Sequence, residues 1–241
     1  MKDAICLEGL RKTYKDKTAV DGISLTVPQG IIFALLGVNG AGKTTTIRML
    51  NGLAEPTGGS ARILGMDLGK DLAKIKEISD VSPQETSVAP NLTVWENLIF
   101  MAEIYGCDKA EAEKRAEALV AQFSLEEVRH SRAKILSGGW QRRLSIAMAL
   151  VSNPKILYLD EPTLGLDVLA RQELWEILKG LWGTVTILLT THYMEEAEAL
   201  ADRVAVMVKG RIRAQGTVEQ LKEMTRQDSL EKAFIHIAKE V

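Results

Sequence analysis

The sequence predicts an α/β fold with a mixed, largely parallel sheet, an N-terminal antiparallel β subdomain and an inserted α-helical subdomain. Three observations carry that prediction. Short, almost wholly apolar runs recur in IIFALL at 31–36, in ILYL before Asp160 and in TILLTT before His192, the pattern of strands buried on both faces. The opening, AICLEGLRKTYKDKTAVDGISLTVPQG, alternates apolar and polar residues around turn signals at 15–17 and 28–30, which reads as short antiparallel strands. Residues 85–150 then change to helical periodicity.

Taken in order, the strand at 31–36 runs into glycines and then into a helix over 44–50, a strand–turn–helix unit. Thr93 and Glu96 form a capping box ahead of the apolar helix TVWENLIFMAEIYG. In the next stretch Ala112, Ala116, Leu119, Val120 and Phe123 fall on one helical face. A helix is expected between the strands at KILYLDEP and TVTILLTTH, and DRVAVMVKGRIRAQG reads as a hairpin turning at Lys209 and Gly210. From Thr217 on the tail is helical, with Leu230, Phe234 and Ile237 on one docking face. The chain, 1–241, is expected to be a single domain, with its helical part at about 85–150 and its helical tail at about 217–241; it contains no internal repeat, low-complexity segment or long linker.

Bulk properties narrow the function. With 241 residues the chain is long enough for a full core, and 46% hydrophobic and 26% charged residues are ordinary for a soluble globular protein. A net charge of -2 and a pI of about 6.0 give no global basic field, so nucleic acid is not an expected partner. The longest apolar run, IIFALLG, is strand-sized and far short of the ~20 residues that span a bilayer. The start, MKDAICLEG, lacks the apolar stretch of a signal peptide. Cys6 and Cys107 are two lone thiols, expected to be reduced and structural. Together these point to a cytosolic protein, or one held at a membrane by a partner.

The chemistry starts at Gly37-Val-Asn39-Gly40-Ala41-Gly42-Lys43-Thr44, a complete G-x-x-x-x-G-K-[ST] phosphate loop between an apolar strand and a helix. Its glycines let successive backbone N–H groups converge on phosphate oxygens, and the helix adds its positive end. Lys43 is expected on the β- and γ-phosphates and the Thr44 hydroxyl on Mg²⁺, which makes the fold a P-loop NTPase core. A second magnesium anchor is expected at Asp160, at the carboxyl end of the ILYL strand, where ligands bind in open α/β sheets. Glu161 follows and can act as base for the attacking water. A glycine-rich turn that binds nothing, and an acidic turn closed by Pro162, are the plainer alternatives. A GTPase would need an Asn-Lys-x-Asp guanine reader, and no Asn-Lys dipeptide occurs. A nucleotide kinase usually carries an arginine-rich lid, whereas this insertion ends in LSGG.

The ordered set of the phosphate loop, Gln84 in VSPQE, Leu-Ser137-Gly138-Gly139, Asp160 and Glu161, Asp167 in LGLD and His192 in TTHYMEEAE resembles the ATP-binding cassette (ABC) ATPase of membrane transporters over essentially the whole chain. That resemblance implies two cassettes facing head to tail. Residues Gly37, Asn39, Gly40, Ala41, Gly42, Lys43, Thr44 and Thr45 of one hold ATP, and Ser137, Gly138 and Gly139 of the other cap its γ-phosphate. The physics agrees: Ser137 can cap the helix that follows while the two glycines offer N–H groups to an anion.

The resemblance further implies that Gln84 touches Mg²⁺ and the attacking water, that His192 contacts the γ-phosphate and that Asp167 links the two sites. Tyr14 stands where an aromatic stacks on adenine, the alternative being a cross-strand packing tyrosine. Two residues depart from the family pattern. Trp140 replaces a common glutamine, and either packs or lines the gap between cassettes near the ribose. Leu164 replaces a common serine, removing a hydroxyl near the opposing site.

The implied partners are transmembrane permease subunits and a second cassette, identical or not. Residues around 85–95 and the first insertion helix are expected to form the groove that receives a coupling helix of the permease. Phrasing such as NLTVWENLIFMAEIYG and SLEKAFIHI is most similar to cassettes of ABC-2-type exporters, which move drugs, lipids or polysaccharides, and places the chain peripherally on the cytoplasmic face of the membrane. The rival is a soluble ABC ATPase acting on ribosomes or DNA. It fits less well, because ribosome-acting members typically fuse two cassettes and chromosome-acting members insert a long coiled coil. A degenerate, regulatory cassette is a third reading, opposed by the intact Lys43, Asp160, Glu161 and His192.

Overall fold

The computed structural model describes residues 2–239. In chain order the elements are β1 (Asp3–Tyr14), β2 (Lys17–Pro28), β3 (Ile32–Leu36), α1 (Lys43–Leu50), β4 (Gly58–Ile63), β5 (Met66–Asp67), α2 (Leu72–Ile78) and β6 (Ser79–Ser82). The helical part follows as α3 (Val94–Ile104), α4 (Lys109–Gln122), a 3-10 turn at Ala133–Ile135 and α5 (Gly138–Leu150). The chain then returns to the sheet through β7 (Ile156–Asp160), α6 (Val168–Lys179), β8 (Thr186–Thr191), α7 (Met194–Leu200), β9 (Arg203–Val208) and β10 (Arg211–Gly216). It continues in α8 (Val218–Thr225) and α9 (Leu230–Lys239).

Two sheets result. The first is antiparallel, in the order β2-β1-β4-β5. The second runs β10-β9-β3-β8-β7-β6; its pairs are parallel except β9 with β10. The mixed, largely parallel sheet and the antiparallel N-terminal sheet are therefore as the sequence predicts. The opening strands are longer than expected, 12 residues each, because register shifts between Leu7 and Leu10 and between Leu10 and Lys12 absorb the breaks in alternation. The stretch from β4 to β6 has no strong periodicity; long-range pairing with β1 and β7 makes its strands.

β3 shows why a continuous apolar run is needed at the centre. Ile32, Ala34 and Leu36 face one core, shared with α3 to α6 and α9, while Phe33 and Leu35 face a second core, shared with the antiparallel sheet and α1. β7 divides likewise, Leu157 and Leu159 on one side, Ile156 and Tyr158 on the other. Burying such a side chain contributes about 1.5–3 kcal/mol, so both cores hold the same strands in place.

The helical part forms as read. Thr93 and Glu96 make a reciprocal capping box on α3, and Ala112, Ala116, Leu119, Val120 and Phe123 are all buried. The tail splits into two helices at Arg226, whose φ is 56°, and Leu230, Phe234 and Ile237 dock on the core. The turn at Lys209 and Gly210 joins β9 to β10. Cys6 and Cys107 are free thiols. Among the described residues no helix is long and apolar enough to cross a membrane.

Candidate active site

In the six-stranded sheet the carboxyl ends of β3, β6, β7 and β8 lie at one edge. The turn after β3 carries residues 37–42, that after β6 carries Gln84, Asp160 ends β7 and His192 follows β8. Residues more than 150 positions apart in the sequence thus meet where parallel sheets place their ligands.

The turn after β3 is tightly determined. Gly37 donates its N–H to the Thr191 carbonyl at 3.1 Å. A Cβ at Gly37 would run into the Met207 carbonyl; at Gly42, with φ of 108°, one would overlap the Ala19 carbonyl and come within 2.7 Å of Met207 Cε. Gly42 is the N-cap of α1, which has no side-chain cap and no acidic residue in its first turn. The positive end of this helix therefore remains available to an anion.

A cleft of about 380 Å³ opens over this turn, lined by Asn39, Gly40, Ala41, Gly42, Lys43, Thr44, Thr45, Gln84, Glu161, Leu164 and His192 together with Lys17 and Ala19. At its floor Lys43 Nζ donates to the Gly37 carbonyl at 2.6 Å and pairs with Glu161 Oε1 at 3.0 Å. The other Glu161 oxygen meets His192 Nδ1 at 2.7 Å. Lys43 and Glu161 are only 5% and 6% exposed, so this pair is screened little by water. Glu161 sits at φ 48°, a conformation that costs a side-chain-bearing residue about 1–2 kcal/mol. The N–H of Glu161 offsets part of this strain by donating to Thr190 Oγ1 at 3.0 Å.

Next to this pair, Thr44 Oγ1 donates to Asp160 Oδ1 at 3.0 Å and Thr190 Oγ1 donates to the same oxygen at 2.6 Å. A hydroxyl and a carboxylate at the mouth of a phosphate loop are hard oxygen donors of the kind that suit Mg²⁺. Among the described residues no group of three or more His, Cys, Asp or Glu stands ready to hold a metal. Mg²⁺ takes one or two carboxylates and completes its shell from phosphate and water.

Of the other residues singled out in the sequence, all but Leu164 lie outside the cleft. Tyr14 pairs with Lys17 across the β1–β2 turn and lies beneath Lys12 Nζ, 4.9 Å from the ring centroid; Lys17, not Tyr14, reaches the lining. Asp167 caps α6, accepting from the Ala170 N–H at 2.9 Å. Ser137 caps α5 through the Trp140 N–H at 3.5 Å, and with Gly138 and Gly139 stands apart from this chain's own cleft. Trp140 packs against the core, and the Arg143 guanidinium lies 4.8 Å from its ring centroid. Leu164, 40% exposed, lines the cleft.

Sequence reading missed several side chains that shape the site. Thr190 belongs to a strand whose pattern gives no sign that its hydroxyl turns to Asp160. Lys17 reaches the cleft only through the hairpin's tertiary placement. Glu196, fully buried on α7, accepts from Trp175 Nε1 at 3.3 Å, and burial raises its pKa. Its signal was present in the sequence: it shares the buried face of α7 with Ala197 and Leu200.

Comparison with known proteins agrees with this geometry. The family model described as ABC transporter matches residues 20–164, more than half of the chain. The chain is 45% identical over 220 residues to the daunorubicin/doxorubicin resistance ATP-binding protein DrrA of Streptomyces peucetius, covering 91% of this chain and 67% of that protein. It is 43% identical over 218 residues to the Nod factor export ATP-binding protein I of Ralstonia nicotianae, covering 90% of this chain and 68% of the relative. Among solved structures, a dimeric post-hydrolysis state of an ATP-binding cassette bound to ADP and phosphate superposes with a TM-score of 0.80 at 27% identity, covering 88% of this chain and 98% of that one. The phosphate loop, the acidic strand end and the histidine after β8 are thus joined in one cleft on a fold shared with a known cassette, and the chain belongs to the ABC transporter family as an ATP-binding ATPase subunit.

Proposed function

We propose that this subunit hydrolyses ATP with Glu161 as the base, in a site completed by a second cassette, and drives the membrane subunits of an exporter. One observation carries the reading: Glu161 is held in the cleft between Lys43 at 3.0 Å and His192 at 2.7 Å. The backbone N–H groups of residues 39–45 and the open end of α1 bind the phosphates. A triphosphate draws Lys43 towards its β- and γ-oxygens, because a dianionic terminal phosphate attracts it more strongly than one carboxylate. The Glu161 oxygen released by Lys43 then accepts a proton from the attacking water, while His192 keeps its hold on the other oxygen and orients the carboxylate. Gln84, which lines the same cleft, positions that water. Thr44 and Asp160 would hold Mg²⁺, which when bound neutralises charge on the phosphate oxygens.

Ser137, Gly138 and Gly139 are exposed or half-buried and take no part in the lining of this cleft, which supports their capping the nucleotide of a facing cassette. The similar solved cassette is itself dimeric. Likeness to a resistance ATP-binding protein and to a Nod factor export protein supports an exporter of the ABC-2 type, with drug-, lipid- or polysaccharide-like cargo chosen by the membrane subunits. The chain attaches peripherally through those subunits, on the cytoplasmic face. The whole chain, about 1–241, serves as the nucleotide-binding domain, with 85–150 as its helical arm and 217–241 as its tail.

Glu161→Gln tests the base. Turnover is expected to fall about 10³-fold while ATP affinity holds within about twofold, the general-base contribution being 10²–10⁴. Steady-state hydrolysis and calorimetry read the two quantities, and near-normal turnover would remove Glu161 from the role.

A further inference from the structure

Arg142 lies in the second turn of α5 and is 4% exposed, yet no carboxylate accepts from its guanidinium. Its donors go to three backbone carbonyls. Nε reaches Pro162 at 2.8 Å, Nη2 reaches Asp160 at 3.0 Å and Nη1 reaches Pro83. Asp160 and Pro162 are the residues on either side of Glu161, and Pro83 immediately precedes Gln84. A second buried contact, Ser82 Oγ with Ser145 Oγ at 3.1 Å, ties the same helix to the end of β6.

A buried charge of this kind is weak evidence for stability, since desolvation opposes it. Burial does lower the Arg142 pKa, to about 10, which leaves the group charged at neutral pH. What the fork supplies is geometry. Glu161 occupies a strained φ of 48° and needs its neighbours fixed, and a planar guanidinium can fix two carbonyls in one turn and a third in another. A lysine, with one nitrogen, cannot span all three. α5 also carries Gly138 and Gly139 at its head, next to Ser137, and Gly139 packs so closely on α6 that an added Cβ would lie 3.0 Å from Ala170 Cβ.

We propose that Arg142 is a positioning residue for hydrolysis: it clamps the turn bearing Glu161 and the segment bearing Gln84 to the helix headed by Ser137, Gly138 and Gly139. The geometry of the base therefore follows the position of α5. Contact made by a facing cassette at the head of α5 reaches Glu161 and Gln84 through a rigid fork rather than through loops. The proposal rests on the assignment of Glu161 as base. Arg142 itself touches no residue of the phosphate loop, so nucleotide affinity and turnover should separate.

The test uses the full chain with Mg-ATP and compares Arg142→Lys, Arg142→Ala, Arg115→Lys and Glu161→Gln. Arg115 likewise donates to a backbone carbonyl, that of Val151, neither residue lining the cleft, and serves as the control. Arg142→Lys is expected to lower kcat about tenfold or more while the dissociation constant for ATP stays within about twofold and the melting temperature stays within a few degrees. Arg115→Lys should keep kcat within about twofold of the parent. In Arg142→Ala, added guanidinium ion should restore part of kcat without changing ATP affinity; if this variant does not fold, Arg142→Lys carries the test on the same measurements. A folded Arg142→Lys chain with parental kcat overturns the proposal. So does a loss of kcat matched by equal losses of ATP affinity and melting temperature, with no rescue. Retained turnover in Glu161→Gln strikes the base assignment, whereas retained turnover in Arg142→Lys alone strikes the clamp.

Discussion

At the head of α1 the chain turns between Gly37 and Gly42, both pressed against backbone; at the head of α5 Gly138 stands in the open, and only Gly139 is packed, against a side chain of α6. An added Cβ at Gly37 meets backbone, while one at Gly138 meets only Leu166 Cδ2, at 4.0 Å. α1 lacks a side-chain cap, whereas α5 has Ser137, and α3, α4, α6 and α8 have Thr93, Asp108, Asp167 and Thr217. The difference teaches how one motif type serves two ends. The first turn is fixed by its own chain and keeps its helix end for an anion. The second is self-satisfied and outward-facing, as a surface that meets another molecule must be.

The comparison can be broken most severely at Gly37. Gly37→Ala should lower ATP affinity about 100-fold or more, some 3 kcal/mol, because the Cβ forces the turn off its course. Calorimetry reads this, and unchanged affinity would mean that the turn has slack the structure denies. Ser137→Arg probes the other loop. It should remove about 1 kcal/mol of capping stability, leave a single chain's ATP affinity within about twofold and abolish ATP-driven pairing of chains. Sedimentation with and without Mg-ATP decides; weakened affinity in the isolated chain would return this loop to its own cleft.

The smallest effect concerns a cap made for stability alone. Glu96 accepts from the Thr93 N–H at 2.8 Å, and that hydrogen bond holds its pKa below the ordinary carboxylate value. A depressed folded pKa gives stability that is present above the unfolded value, near 4.5, and lost as pH falls through the folded one. Glu96→Gln should therefore lower the melting temperature at neutral pH, with the gap closing in acid. A gap that stays constant with pH would refute the linkage.

Much of the site was legible because its parts are local in sequence. The glycines of 37–42, Lys43 and Thr44 must be contiguous to bind phosphate, and Asp160 and Glu161 announce themselves at the end of an apolar run. Glu161's approach to both Lys43 and His192 was not legible, since it depends on β3 and β7 each pairing with β8. Thr190 and Arg142 were hidden for a related reason: a threonine in a strand and an arginine in a helix are ordinary until the fold supplies their partners. Trp140 leaves two meanings open in the sequence; in the folded chain it packs on the core beneath Arg143.

The alternation along β3 has a consequence for how such a molecule can diversify. Ile32, Ala34 and Leu36 answer to one interior, Phe33 and Leu35 to the other. A lineage can thus remodel the helical layer to suit a new membrane companion while the positions that bear on the opposite flank go unchanged, and the same nucleotide engine can be refitted to different transporters.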